Sequence, residues 1–119
     1  MICGSQKSEK MMEIKPGVSV RGLQPEMLLA LMIADEKLKD RGFVRVLTSG
    51  TEGEHGPGSL HYVGLAGDLR TGTGGILRPD ARKLTNEIRK ALGGDYSEYD
   101  VVCESDHIHI EYQPKGPSK

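Results

Sequence analysis

A chain of 119 residues with 28% charged and 36% hydrophobic residues and a formal net charge of −1 has room for one compact domain and no second core. That near-neutral balance excludes a general nucleic-acid binder, which needs a basic excess to displace counterions, and equally an electrostatic membrane anchor. Sixteen glycines against one Phe and no Trp imply many turns and tight loops around a modest aliphatic core.

Residues 1–14 are polar and mixed, and read as the loosely held start of an N-terminal arm that extends to residue 22. No charged-then-apolar signal pattern occupies Met1 to Lys15, and no apolar stretch approaches the roughly 20 residues of a membrane span. The expectation is a chain made in the cytoplasm and released by another system if its target lies outside. Lys15-Pro16-Gly17 and Arg21-Gly22 punctuate the approach to a first helix, which Pro25 opens. Leu28, Leu31, Met32 and Leu38 recur there at helical spacing, with Glu36, Lys37, Lys39 and Asp40 opposite and Gly42 as the stop. Phe43 to Leu47 reads as a buried strand. From Thr48 to Leu60 the pattern collapses into a long polar loop feeding His61.

Tyr62 to Arg70 reads as a second strand, interrupted by Gly64 and Gly67. Thr71 to Gly75 is a flexible turn, and no Gly-Lys-Ser/Thr follows to make it a phosphate cradle. A second helix starts near Pro79-Asp80, carries Ala81, Leu84, Ile88, Ala91 and Leu92 on one face, and ends at Gly93-Gly94. Tyr99–Cys103 and Ile108–Tyr112 are short strands around the acidic Glu104–His107 segment, and residues 114–119 form a flexible tail. Cys3 and Cys103 are too few for a disulfide framework and are read as thiols. The order helix, strand, strand, helix, strand, strand predicts an α+β domain: a small antiparallel sheet with helices packed on one face.

The four histidines, His55, His61, His107 and His109, all lie in two polar, turn-rich segments. Asp68 follows His61 by seven positions, and Glu104 and Asp106 precede the later pair. Zinc takes imidazole nitrogen and carboxylate oxygen, and a catalytic site needs three protein ligands with one position left open. Two ligands from the first segment and one from the second satisfy that requirement, leaving a carboxylate as general base. The spacing alone is equally compatible with surface histidines that bind nothing.

Ser59-Leu60-His61-Tyr62-Val63-Gly64-Leu65-Ala66-Gly67-Asp68 resembles the S-x-H-x-x-G-x-A-x-D signature of the zinc D-Ala-D-Ala carboxypeptidase family. That family includes vancomycin-resistance D,D-dipeptidases, phage L-alanyl-D-glutamate endopeptidases and, by fold, the hedgehog signalling domain. Tyr99 to His109 is similar to its closing motif, and Thr48-Ser49-Gly50 to its entry into the active-site loop. The resemblance covers residues 23–113 and implies a hedgehog-like fold for that catalytic domain.

Carried over by position, it implies one zinc ion per chain held by His61, Asp68 and His109. A carboxylate three residues before the last zinc histidine fits Asp106 with His109, and also Glu104 with His107. The D-H-x-H form favours His109 as ligand and Asp106 as base, with His107 donating to the oxyanion and Glu104 as a second acidic group. Ser59 and His55 would contact substrate. The implied substrate is a peptidoglycan stem peptide or D-amino-acid dipeptide, cleaved by carboxylate-assisted attack of zinc-activated water, by a monomer that needs neither nucleic acid nor membrane. One departure stands out. Many family peptidases carry an arginine after the Ser-Gly that holds the substrate carboxylate, whereas Gly50 is followed here by Thr51-Glu52-Gly53-Glu54. Arg45 and Arg70 are the substitutes on offer, and a zinc-containing binding module without peptidase activity is the alternative expectation.

Overall fold

The computed structural model describes residues 12–39, 45–52, 59–72, 75–76, 78–94 and 97–113. Among these, five strands and two helices form a small α+β unit: β1 (Glu13–Ile14), α1 (Pro25–Lys39), β2 (Val46–Ser49), β3 (Ala66–Arg70), α2 (Arg78–Ala91), β4 (Tyr99–Cys103) and β5 (His107–Tyr112). The strand order is β1-β2-β3-β5-β4. The sheet is mixed rather than antiparallel, because β1 pairs with β2 in parallel while the other neighbours are antiparallel. The extra strand comes from the expected arm. Glu13 and Lys15 donate backbone N–H groups to Arg45 and Leu47, which fixes the arm against the sheet edge. The proposed helix stop at Gly42, the start of the strand at Phe43 and Val44, residues 1–11 and the 114–119 tail lie outside the described residues.

α1 carries Glu26 in its first turn and Lys37 and Lys39 in its last, which suits the helix dipole. Its buried face is Met27, Ala30, Leu31, Ala34 and Leu38. Leu28 and Met32, assigned to that face by spacing, are 47% and 66% exposed. The two alanines explain the rotation: small side chains let the helix lie close to its neighbours, so the packed stripe runs through them rather than through the larger residues. α2 buries Ala81, Leu84 and Ile88 as expected, while Ala91 at its end is exposed. Both helices join one hydrophobic cluster with Leu47, Leu69, Val101, Ile108 and Ile110 from the strands. No described helix is long and apolar enough to cross a membrane.

The period-2 alternation of a strand decides what lies on the other face. In β5, Ile108 and Ile110 are buried in the core, so His107, His109 and Glu111 project from the opposite side. In β3, Leu69 is fully buried, and Asp68 and Arg70 project with the histidines. The register sets Asp68 opposite His109 and Arg70 opposite His107.

Two sequence-level boundaries shift. β2 runs on through Thr48 and Ser49, because Ser49 finds Asp68 as a partner across an irregular register. Residues Leu60–Val63 are a short 3₁₀ helix rather than strand, capped by Ser59 before it and by Gly64 after it at φ 78°. Gly64 must lack a side chain, since a Cβ there would run into the Gly22 carbonyl oxygen.

Candidate metal centre

The 3₁₀ turn brings His61 in over the exposed face of β3 and β5. Ser59 Oγ accepts the His61 backbone N–H at 3.2 Å, which starts the turn and fixes where the imidazole leaves the chain. The ring is 4% exposed at the residue level, and its Nδ1 lies 2.8 Å from the Gly50 carbonyl oxygen. A carbonyl can only accept, so Nδ1 carries the proton and Nε2 is turned toward Asp68 Oδ2 at 3.5 Å. Gly50 is itself held in place: a Cβ would meet the Ser19 carbonyl oxygen, and Glu52 Oε1 accepts both the Gly50 and Ser19 backbone N–H groups at 2.9 Å.

Asp68 is the hub. Its side chain is 13% exposed, with Oδ1 2.7 Å from His109 Nδ1 and 3.8 Å from His107 Nε2. Burial raises its pKa, yet hydrogen bonds from His109 and His61 overcome that and hold the carboxyl far below the usual range. His109 is pushed up to about 9, first by its bond to Asp68, against the cost of burial, and further by Glu111. His61 is raised more modestly, its burial outweighed by Asp68 and the Gly50 carbonyl. A buried anion requires compensating partners, and the two imidazoles lie against this one.

His61, Asp68 and His109 each offer one ligand atom, and all three atoms lie within 4.8 Å of one another. Two donors placed tetrahedrally at zinc bond lengths stand roughly 3.3–3.4 Å apart, close to the His61–Asp68 separation of 3.5 Å. The His109–Asp68 pair at 2.7 Å is a direct hydrogen bond, and would open by about half an ångström around an ion. Two nitrogens and a carboxylate oxygen, with the remaining side of Asp68 bordering a cavity, suit a divalent metal that keeps a position open. The three residues named from sequence as ligands are therefore brought together.

The other assigned residues fall in different places. His107 stands at the rim, 29% exposed, and its Nδ1 is 2.7 Å from Asp106 Oδ1. Asp106 is 83% exposed, with its pKa lowered by that hydrogen bond to His107. Asp106 and His107 line a cavity of about 340 Å³ together with Asp68, Arg70, Lys15 and Thr48. Glu104 lies away from this cavity: its backbone N–H closes the turn on His107, and it lines a separate hollow beside Thr71, Ala81 and Arg82. Ser59 has the capping contact already described. His55 lies outside the described residues.

Of the two candidate substitutes for the substrate arginine, only Arg70 lines the cavity. Arg45 is buried, with its Nε 2.5 Å from Asp35 Oδ1, and belongs to an apolar groove between α1 and the β1–β2 edge. Glu52, two residues after Gly50 where the family arginine is absent, turns onto backbone N–H groups. Burial raises its pKa, and those bonds from Ser19 and Gly50 more than reverse the effect.

Two contacts at the candidate site were not apparent from the sequence. One is the Gly50 carbonyl, which no side-chain pattern reveals. The other is Glu111, whose Oε1 lies 2.8 Å from His109 Nε2. The alternation His107, His109, Glu111 carried that signal, since strand geometry puts all three on one face. In comparisons with family models, with curated proteins and with solved structures, nothing matches this chain.

Proposed function

We propose that this chain is a zinc peptidase with a hedgehog-like fold, acting on peptide bonds that involve D-amino acids in peptidoglycan stems. The observation that carries the reading is the convergence of His61, Asp68 and His109, the last two 41 residues apart in sequence, beside an open cavity. The likeness of the segments 59–68 and 99–109 to the zinc D-Ala-D-Ala carboxypeptidase motifs supplies the substrate class.

When bound, zinc would polarise a scissile carbonyl and make water acidic near neutral pH. His61, Asp68 and His109 would hold the ion, each imidazole fixed by its own second partner. Asp106, on the cavity rim, accepts the proton of the attacking water and returns it to the departing nitrogen. His107 donates to the oxyanion as it develops. The 2.7 Å contact between Asp106 and His107 favours a second assignment of the same chemistry. Asp106 would then orient His107, and the His107 Nε2, which faces Asp68, would carry the proton. The noncatalytic alternative is a metal-stabilised binding module with this same site.

Elemental analysis of the purified chain, together with digestion of purified peptidoglycan by the same batch, tests the reading. One zinc per chain with released muropeptide fragments is the expected result, and fragment masses name the bond. Zinc without fragments would replace the peptidase with the binding module. A chain that takes up no zinc when it is offered would overturn both.

A further inference from the structure

The two metal-facing imidazoles are fixed in different ways. His61 has Nε2 toward Asp68 and leans through Nδ1 on a backbone carbonyl. His109 is reversed, with Nδ1 toward Asp68 and Nε2 toward the Glu111 carboxylate. Nδ1 and Nε2 sit on opposite sides of an imidazole ring, so an ion shared with Asp68 and His61 can reach His109 only through Nδ1.

We propose that Glu111 is a positioning residue for the metal centre: by accepting the His109 Nε2–H it fixes the ring orientation and the tautomer that leaves Nδ1 to the ion. This rests on the metal site of the reading above, though not on peptidase activity. Three features support it. Glu111 is itself held, because Gln113 Nε2 donates to its second oxygen, Oε2. His109, Glu111 and Gln113 thus form a line of hydrogen bonds along alternate residues at the end of β5. The side chain of Glu111 is only 19% exposed, which is costly for a carboxylate without such partners.

The third feature is the neighbourhood in the sheet. Across β5, Glu111 faces Ala66 on one side and Asp100 on the other. Ala66 leaves space above β3 for the carboxylate to reach His109. Asp100 presents a like charge directly opposite, an arrangement that weakens a strand pair. A carboxylate kept there against that repulsion is explained by its bond to His109, not by sheet stability. A negatively charged acceptor also makes the imidazole a stronger donor to a cation than a neutral carbonyl would.

The test compares wild type with Glu111→Ala, Glu111→Gln and Gln113→Ala, reading zinc affinity by competition with a chromophoric chelator and the His109 ring by ¹⁵N NMR. Glu111→Ala is expected to weaken zinc about 10- to 100-fold. Glu111→Gln, which retains an acceptor oxygen, should restore most of that loss, and Gln113→Ala should produce a smaller one. In the zinc-loaded wild type, His109 should be protonated at Nε2 and bound through Nδ1. Unchanged zinc affinity in Glu111→Ala, or a wild type bound through Nε2, would overturn the proposal. The metal-free protein separates this from a failure of the metal reading. There the His109 Nε2–H signal should be protected from exchange in wild type and exposed in Glu111→Ala, and equal protection in the two overturns the role even if no zinc binds.

Discussion

Asp68 and His109 stand directly opposite each other on neighbouring antiparallel strands, with Asp68 Oδ1 2.7 Å from His109 Nδ1. Neither residue reaches the other by local sequence. β3 and β5 are adjacent because Leu69, Ile108 and Ile110 bury the far side of the same two strands. The core therefore sets the register, and the register assembles the site.

Asp68→Asn keeps the shape and removes the charge that joins the two histidines. It should weaken zinc by more than about 100-fold, beyond the loss of roughly 10- to 100-fold expected for an outer partner. A stoichiometrically metallated Asp68→Asn would sink the ligand assignment. Stripping the wild type with a chelator should lower its unfolding temperature, since an ion at 100 times its Kd contributes about 2.7 kcal/mol. The same chelator should leave Asp68→Asn unchanged.

Gly50→Ala tests a contact that sequence did not disclose. A Cβ there meets the Ser19 carbonyl oxygen, so the strand end must shift and carry the Gly50 carbonyl away from His61. The expected outcome is a loss of about 1–3 kcal/mol in urea denaturation, typical of overpacking, together with weaker zinc binding. Loss of stability with zinc affinity intact would show that His61 needs no such support.

The candidate ligands were legible because His61, Asp68 and His109 fall at positions of a motif that resembles a known zinc family. Helix positions followed from Pro25, Pro79 and apolar spacing, and β4 and β5 from short apolar runs between turns. The 3₁₀ turn was not legible, since Tyr62 and Val63 carry strand-like propensity that Ser59 capping and the Gly64 conformation override. β1 was missed because two residues of an exposed arm gain their order from pairing with β2, a contact with no local signal. The fate of Arg45 depended on Asp35 from α1, a tertiary partner that composition does not name.

Asp35→Ala follows from that last pairing. The Arg45 side chain is 2% exposed and would lose its 2.5 Å partner while keeping other contacts. A cost of about 2–3 kcal/mol is expected, below that of a wholly orphaned buried ion. Zinc content and any turnover should be unchanged, because the pair lies in the groove beside α1. A selective loss of substrate binding would instead return Arg45 to the functional site.

Asp106→Asn and His107→Gln separate the two proton-transfer assignments. Loss of a general base typically costs about 10²–10⁴-fold in rate. If Asp106 is the base, Asp106→Asn should fall in that range while His107→Gln loses less. If Asp106 acts through His107, the histidine variant should be the worse of the two and the double variant no worse than it. Zinc content measured on each protein ensures that a lost ion is not mistaken for lost catalysis.

Glu52 gives a prediction in pH. Its carboxylate accepts the backbone N–H groups of Ser19 and Gly50, and its folded pKa is lowered from an ordinary value of 4.5. A lowered folded pKa means that the unfolded chain takes up the proton first as pH falls. The stabilisation is therefore complete above the unfolded value and fades as pH drops through the folded one. Glu52→Gln should lower the urea midpoint at pH 7, and the gap to wild type should narrow below about pH 4.5. Equal midpoints at pH 7 would mean that the negative charge of Glu52 adds nothing to the hold on Ser19 and Gly50, since the amide oxygen of Gln can accept the same two N–H groups. The His61 ring would then owe its position to those hydrogen bonds and the chain path, not to the charge.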